Sequence, residues 1–157
     1  MMTAPYNDLG SLDDWLLKQG IEQAERGISI EDELIPGTVE QLGLPYGYLY
    51  ATVIFDGEVA NGGLPQFFEN SFGALAPIVR DALQAMELRH YATIMTQLLN
   101  ASGPEYPRNR WVRVDKIDSD TSVQEMLDRG YHAIDVWSRE FILARDNYAR
   151  KNELLNE

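Results

Sequence analysis

Apolar residues recur along most of this chain at intervals of three and four, the spacing that lines one face of an α-helix. Leu9, Leu12 and Leu16, with Gln19 on the same stripe and Trp15 beside it, predict a helix over about 8–26, and Gly20 is a candidate break within it. Ile78, Ala82, Leu83 and Met86 predict another, with Pro77 in its first turn. Tyr91, Ile94, Leu98 and Leu99 predict the next. The cleanest repeat is Ile134, Trp137, Phe141, Ala144 and Tyr148, which predicts a last helix. Its basic end, Arg145 to Lys151, suits the negative pole of a helix dipole. Capping-box spacing occurs at Ser29–Asp32, Thr38–Gln41 and Ser122–Glu125. Pro36-Gly37 marks a turn, and residues 101–120, with Pro104 and Pro107, read as a long polar connection.

Residues 45–56 satisfy two patterns. Tyr48 to Phe55 is rich in β-formers and resembles a buried strand, yet Tyr46, Leu49, Tyr50 and Val53 also sit at helical spacing. A lone strand in a chain that otherwise reads as helical has nothing to pair with, so a helix is expected. The fold class is therefore all-α: one compact domain over residues 1–157 with six or seven helices.

The densest local signal is Asn61-Gly62-Gly63-Leu64-Pro65-Gln66-Phe67-Phe68-Glu69-Asn70. The two glycines permit a tight bend. Pro65 suits the first turn of a helix, Phe67 and Phe68 are core anchors, and Asn70 with Gly73 supplies an end signal. The segment is expected to throw the chain into a short buried helix. Asn61, Gln66 and Asn70 either line a small polar pocket or satisfy backbone groups at the turn and helix ends.

Composition narrows the chemistry. There is no cysteine, which excludes disulfides and thiolate nucleophiles or ligands. The first residues carry neither a basic nor an apolar leader segment, and no apolar run reaches membrane-spanning length, so the cytoplasm is the expected location. The net charge is −12, and residues 1–60 hold 11 acidic residues against Lys18 and Arg26 alone. Such a surface repels nucleic acid and anionic membranes and attracts basic partners.

The segment Val59, Asn61, Gly62, Gly63, Gln66, Phe67, Phe68, Asn70 and Gly73 resembles the signature of a bacterial all-helical family known for DNA-mimic proteins. Leu64 stands where that pattern usually has Phe. Ala82-Leu83, Leu127-Asp128 and Tyr131 extend the similarity, over roughly residues 38–148. The resemblance implies an all-α fold and permits a homodimer. It also implies, for some members, occupation of the DNA-binding surface of a transcription regulator.

Three sets of side chains invite a functional reading. Asp14–Lys18 and Glu22–Arg26 are spaced to pair along a helix, which leaves Asp8, Asp13, Glu25, Glu31, Asp32, Glu33 and Glu40 without local partners. Helical turns rise about 5.4 Å and DNA charges are spaced by about 3.4 Å along a strand, so such carboxylates approximate a phosphate row coarsely. Arg108, Arg110, Arg113 and Lys116 cluster around Trp111 and are expected to pair with the acidic face, within the monomer or across a dimer. Glu87 and His90 form half of a Glu-x-x-His pattern, and His132 has Asp128 four residues before it and Asp135 three after. The reading that follows is an acidic, non-enzymatic protein that holds a basic, DNA-binding partner, with no metal or cofactor. The alternatives are a small metal-dependent enzyme using Glu87, His90, Asp128 and His132, and a helical interaction domain whose charge serves solubility.

Overall fold

The computed structural model describes residues 4–25 and 35–156, with the side chains of 23–25, 131 and 132 outside that set. The fold is all-α. Eight α-helices occur among the described residues: α1 (Leu9–Glu25), α2 (Ile35–Leu42), α3 (Tyr46–Glu69), α4 (Ala76–Ala85), α5 (Arg89–Ala101), α6 (Arg110–Asp118), α7 (Thr121–Ala133) and α8 (Arg139–Lys151). A 3₁₀ turn, Ser71–Leu75, links α3 to α4.

Helix α3 is the centre. It packs against α1, α2, α4, α6, α7 and the 3₁₀ turn. Leu49, Tyr50, Ala51, Thr52, Phe55 and Val59 are all buried, so α3 is covered around most of its circumference. A helix buried on every side needs no amphipathic stripe. That is why Tyr48–Phe55 carries strand-like composition and is nonetheless helical.

The bend lies where the glycines stand. Gly63 adopts φ 75°, ψ −173°, a region that side chains with a Cβ scarcely enter, whereas Gly62 is at φ −151°. Beyond it Leu64, Phe67 and Phe68 are buried. The Phe55 and Phe67 rings meet edge to face at 5.0 Å, Phe67 and Phe68 at 5.4 Å, and Phe68 and Tyr106 at 6.2 Å. This aromatic run crosses the bend and ties both arms of α3 to the segment before α6.

Several expectations are corrected. The helix count rises to eight because residues 101–120 are not one connection. Asn109 accepts from the Val112 amide and starts α6, which buries Arg113 and Ile117 one turn apart. Gly20 does not break α1, since the Tyr50 ring packs where that residue lacks a side chain. Pro36-Gly37 falls in the first turn of α2 and not in a turn between elements, which also places Thr38 inside that helix and not at its start. The N-cap of α7 is Asp120, which accepts from the amides of Ser122 and Val123; Ser122 is already helical. Ile134 and Trp137 precede α8, whose N-cap is Ser138, and Trp137 is 72% exposed. The Ser29–Asp32 box lies outside the described residues.

Two substitutions test the bend by denaturant unfolding. Phe67→Ala is expected to cost about 3–5 kcal/mol, as for other buried phenylalanines. Gly63→Ala is expected to cost more than about 1 kcal/mol through backbone strain. Unchanged stability in both would mean that the bend does not hold the core together.

Candidate functional site

The end of α3 lies inside the protein, where helix carbonyls lack intrahelical partners. Arg113 of α6 supplies them. Its Nε donates to the Phe68 carbonyl at 2.7 Å, and its Nη2 donates to that of Asn70. Its Nη1 donates to the carbonyls of Pro107 and Arg108 at 3.0 and 2.8 Å. The residue is 1% exposed. Arg110 Nε reaches the Glu69 carbonyl at 2.9 Å, and the Tyr106 hydroxyl donates to the Gly73 carbonyl at 2.7 Å. Burial pushes the Tyr106 phenol above its ordinary range and keeps it a donor. Gly73 is required by this closeness, because a Cβ there would lie 2.6 Å from the Phe67 carbonyl and 2.8 Å from Arg113 Nε. The basic cluster was expected to meet the acidic face. Arg110, Arg113 and Lys116, whose Nζ donates to the Ser102 carbonyl, also reach backbone oxygens.

A second buried arginine joins three helices. Arg145 of α8 binds both oxygens of Asp13 in α1, at 2.8 and 2.7 Å, and donates to Thr52 Oγ1 and the Leu49 carbonyl in α3. The expectation that Asp13 is uncompensated is therefore corrected: its partner is 132 residues away in sequence and beyond any local spacing rule. Arg145 likewise serves the core, leaving Arg150 and Lys151 at the basic end of α8. Asp56 lies in the same field. Desolvation raises its pKa, opposed by Arg145 and reinforced by Asp13.

The other acidic candidates divide by position. Asp8 is exposed and is held by the Ser11 amide at 2.7 Å, which lowers its pKa and makes it the cap of α1. Glu40 is exposed on α2, Glu25 is the last residue of α1, and Glu31, Asp32 and Glu33 lie outside the described residues. Asp14 and Lys18 form no ion pair, and Arg26 is not described.

The amides of the bend form a polar chain that spacing did not reveal. Gln66 Nε2 and Asn70 Nδ2 donate to the same oxygen of Glu58, at 3.0 and 2.8 Å, and Asn61 Nδ2 donates to Gln66 Oε1 at 3.0 Å. These side chains thus bond to one another and to Glu58 rather than to backbone groups, which was one of the two roles open to them. Glu58, one turn before Gly62, was missed because the bend alone brings it to them. Gly62 makes room for the chain: a Cβ there would lie 2.2 Å from Gln66 Oε1 and 2.8 Å from Gln66 Cβ.

The Glu87–His90 half of the metal-enzyme alternative loses its geometric premise. Glu87 lies at φ 64° between α4 and α5, so it does not share a helical face with His90. His90 Nε2 instead lies 3.5 Å from Glu140. Asp128 is exposed on α7, and the His132 side chain is not described. Among the described residues, no three of His, Asp and Glu come together as a metal site.

Two variants check these charges. Arg145→Met leaves Asp13 unpaired and is expected to cost about 3–5 kcal/mol in chemical denaturation, with Asp13→Asn in the same chain recovering part of it. Asp56 holds its proton to a higher pH in the folded state than in the unfolded chain. Stability therefore falls as pH rises from 3.8 through the raised value. Asp56→Asn is expected to raise the melting temperature at neutral pH and to give no gain below the ordinary carboxylate range.

Among the described residues no helix is long and apolar enough to cross a membrane. Comparison with curated proteins and with solved structures yields no match. The family model described as DMP19-like protein matches residues 40–154, close to the 38–148 span of the signature resemblance and well over half of the chain. Six of the seven acidic candidates precede the match; only Glu40 falls within it. On the extent of that match, the chain belongs to the DMP19-like protein family.

Proposed function

We propose that this protein is a non-enzymatic, cytoplasmic acidic binder that occupies the DNA-binding surface of a basic partner, as a DNA mimic. The observation that carries the reading is the sorting of charge by the fold. Among the described residues the buried charged side chains are two arginines, Arg113 and Arg145, while no carboxylate is fully buried. Arg145 takes Asp13 with it, so of 13 basic and 25 acidic residues 12 and 24 remain outside that pair. The whole excess of −12 is therefore carried outside that pair. Carboxylates left at the surface can meet a cationic one, and such encounters are fast at low salt and screened over about 8–10 Å at physiological ionic strength. Membership of the DMP19-like family supports the same reading.

The test is capture of a basic partner from a native lysate on the immobilised full chain. Retention is expected at low salt, with release by added salt and by duplex DNA. Replacing Glu31, Asp32 and Glu33 together with their amides is expected to weaken retention, with the melting temperature followed alongside to separate loss of binding from loss of the fold. Retention insensitive to salt and to the triple substitution would remove the acidic surface from the mechanism. Salt-sensitive retention that duplex DNA does not displace would leave an acidic interaction domain and end the mimic reading.

A further inference from the structure

The polar chain at the bend has a direction, and that direction defines a ligand. Glu58 is a carboxylate and can only accept, so it fixes which end of each neighbouring amide faces it. Gln66 and Asn70 must turn their nitrogens toward its Oε2. Gln66 then presents Oε1, which fixes Asn61 with its nitrogen inward as well. One negative charge thereby orients three amides. Among the described residues, Glu58 Oε1, Asn61 Oδ1 and Asn70 Oδ1 accept no hydrogen bond. Glu58 and Asn70 are half-buried and Asn61 is exposed, so the group is held firmly at its base and open at its rim.

We propose that this bend is an acceptor cradle for a guanidinium group, with Glu58 as its charged anchor and Asn61 and Asn70 as flanking carbonyl acceptors. A guanidinium brings several N–H donors in one plane and a delocalised charge, which suits one carboxylate oxygen accompanied by amide oxygens. The glycine at 62 fits this use. Its φ is one that any residue adopts, and its lack of a Cβ is what lets Gln66 fold back and complete the cradle. The cradle also lies within the family match, whereas most of the N-terminal carboxylates precede it. The proposal rests on the binding reading above only for the source of the guanidinium, an arginine of the basic partner.

The experiment follows the side-chain amide ¹H–¹⁵N signals of Asn61, Gln66 and Asn70 in the full chain. The probes are a short arginine–glycine peptide and its citrulline counterpart, which keeps the shape and lacks the charge. Saturable shifts of these three residues are expected with the arginine peptide and not with citrulline. Glu58→Gln keeps acceptors at nearly the same volume and is expected to weaken binding at least about tenfold, as for loss of a charge-assisted hydrogen bond. Glu153→Gln, at an exposed carboxylate elsewhere, is expected to change it less than about twofold. If the peptide binds while these amides stay still, or if citrulline shifts them equally, the cradle is wrong and the acidic-binder reading stands on its own test. If the amides respond as expected but no captured protein is displaced by duplex DNA, the cradle stands and the mimic reading falls. An unfolded Glu58→Gln variant would leave the arginine–citrulline comparison to decide.

Discussion

A helix that ends inside a protein leaves carbonyl oxygens with no partner, and burying them unsatisfied costs more than most contacts return. Helix α3 meets this constraint at Phe68, Glu69 and Asn70, and the chain answers it from sequence positions some forty residues later. Arg113 gathers carbonyls from both sides, those of α3 and those of the loop leading into α6. The guanidinium is a cation placed at the negative pole of a helix, so it satisfies hydrogen bonds and opposes the dipole at once. The position of α6, the course of the loop before it and the closeness of the 3₁₀ turn all depend on this one side chain. Gly73 is the counterpart, a residue whose missing Cβ leaves the approach open.

The two interior arginines solve different problems. Arg113 closes a helix end, while Arg145 links the first, central and last segments through Asp13, Leu49 and Thr52. Both lie in the interior of an acidic chain, Arg145 paired with Asp13. The core thus uses charge to position its parts, with Arg113 gathering backbone carbonyls and Arg145 holding a carboxylate. The polar chain around Glu58 extends the same logic on a smaller scale, with one charge setting the orientation of neutral groups.

Much of the fold was legible because its physics is local. The stripe of Leu12 and Leu16, the proline in the first turn of α4, and the bend at Gly63 all follow from neighbours within a turn or two. What could not be read depends on pairing at a distance. Arg113 and Arg145 looked like surface charge because nothing near them in sequence shows that they are buried. Helix α6 was hidden because an arginine holds a core position that pattern rules reserve for apolar residues. The start of α7 was misplaced by two residues because Ser122 and Asp120 both suit a cap, and only the backbone decides between them. The amides of the bend were recognised as a group, but Glu58 joins them only when the chain reverses.

The ends of a chain are usually where it frays. Here the backbone of Tyr6 bonds to that of Leu154 and Asn156, and a few residues inward Asp13 meets Arg145. Lifting either terminal helix would strand a charge in the interior and withdraw a donor from Thr52 and Leu49 in the central helix. Local opening at the termini is thus tied to the integrity of the middle. Slow amide exchange would extend nearly to both ends of the described fold, and loosening would come as one collective event rather than by gradual unravelling.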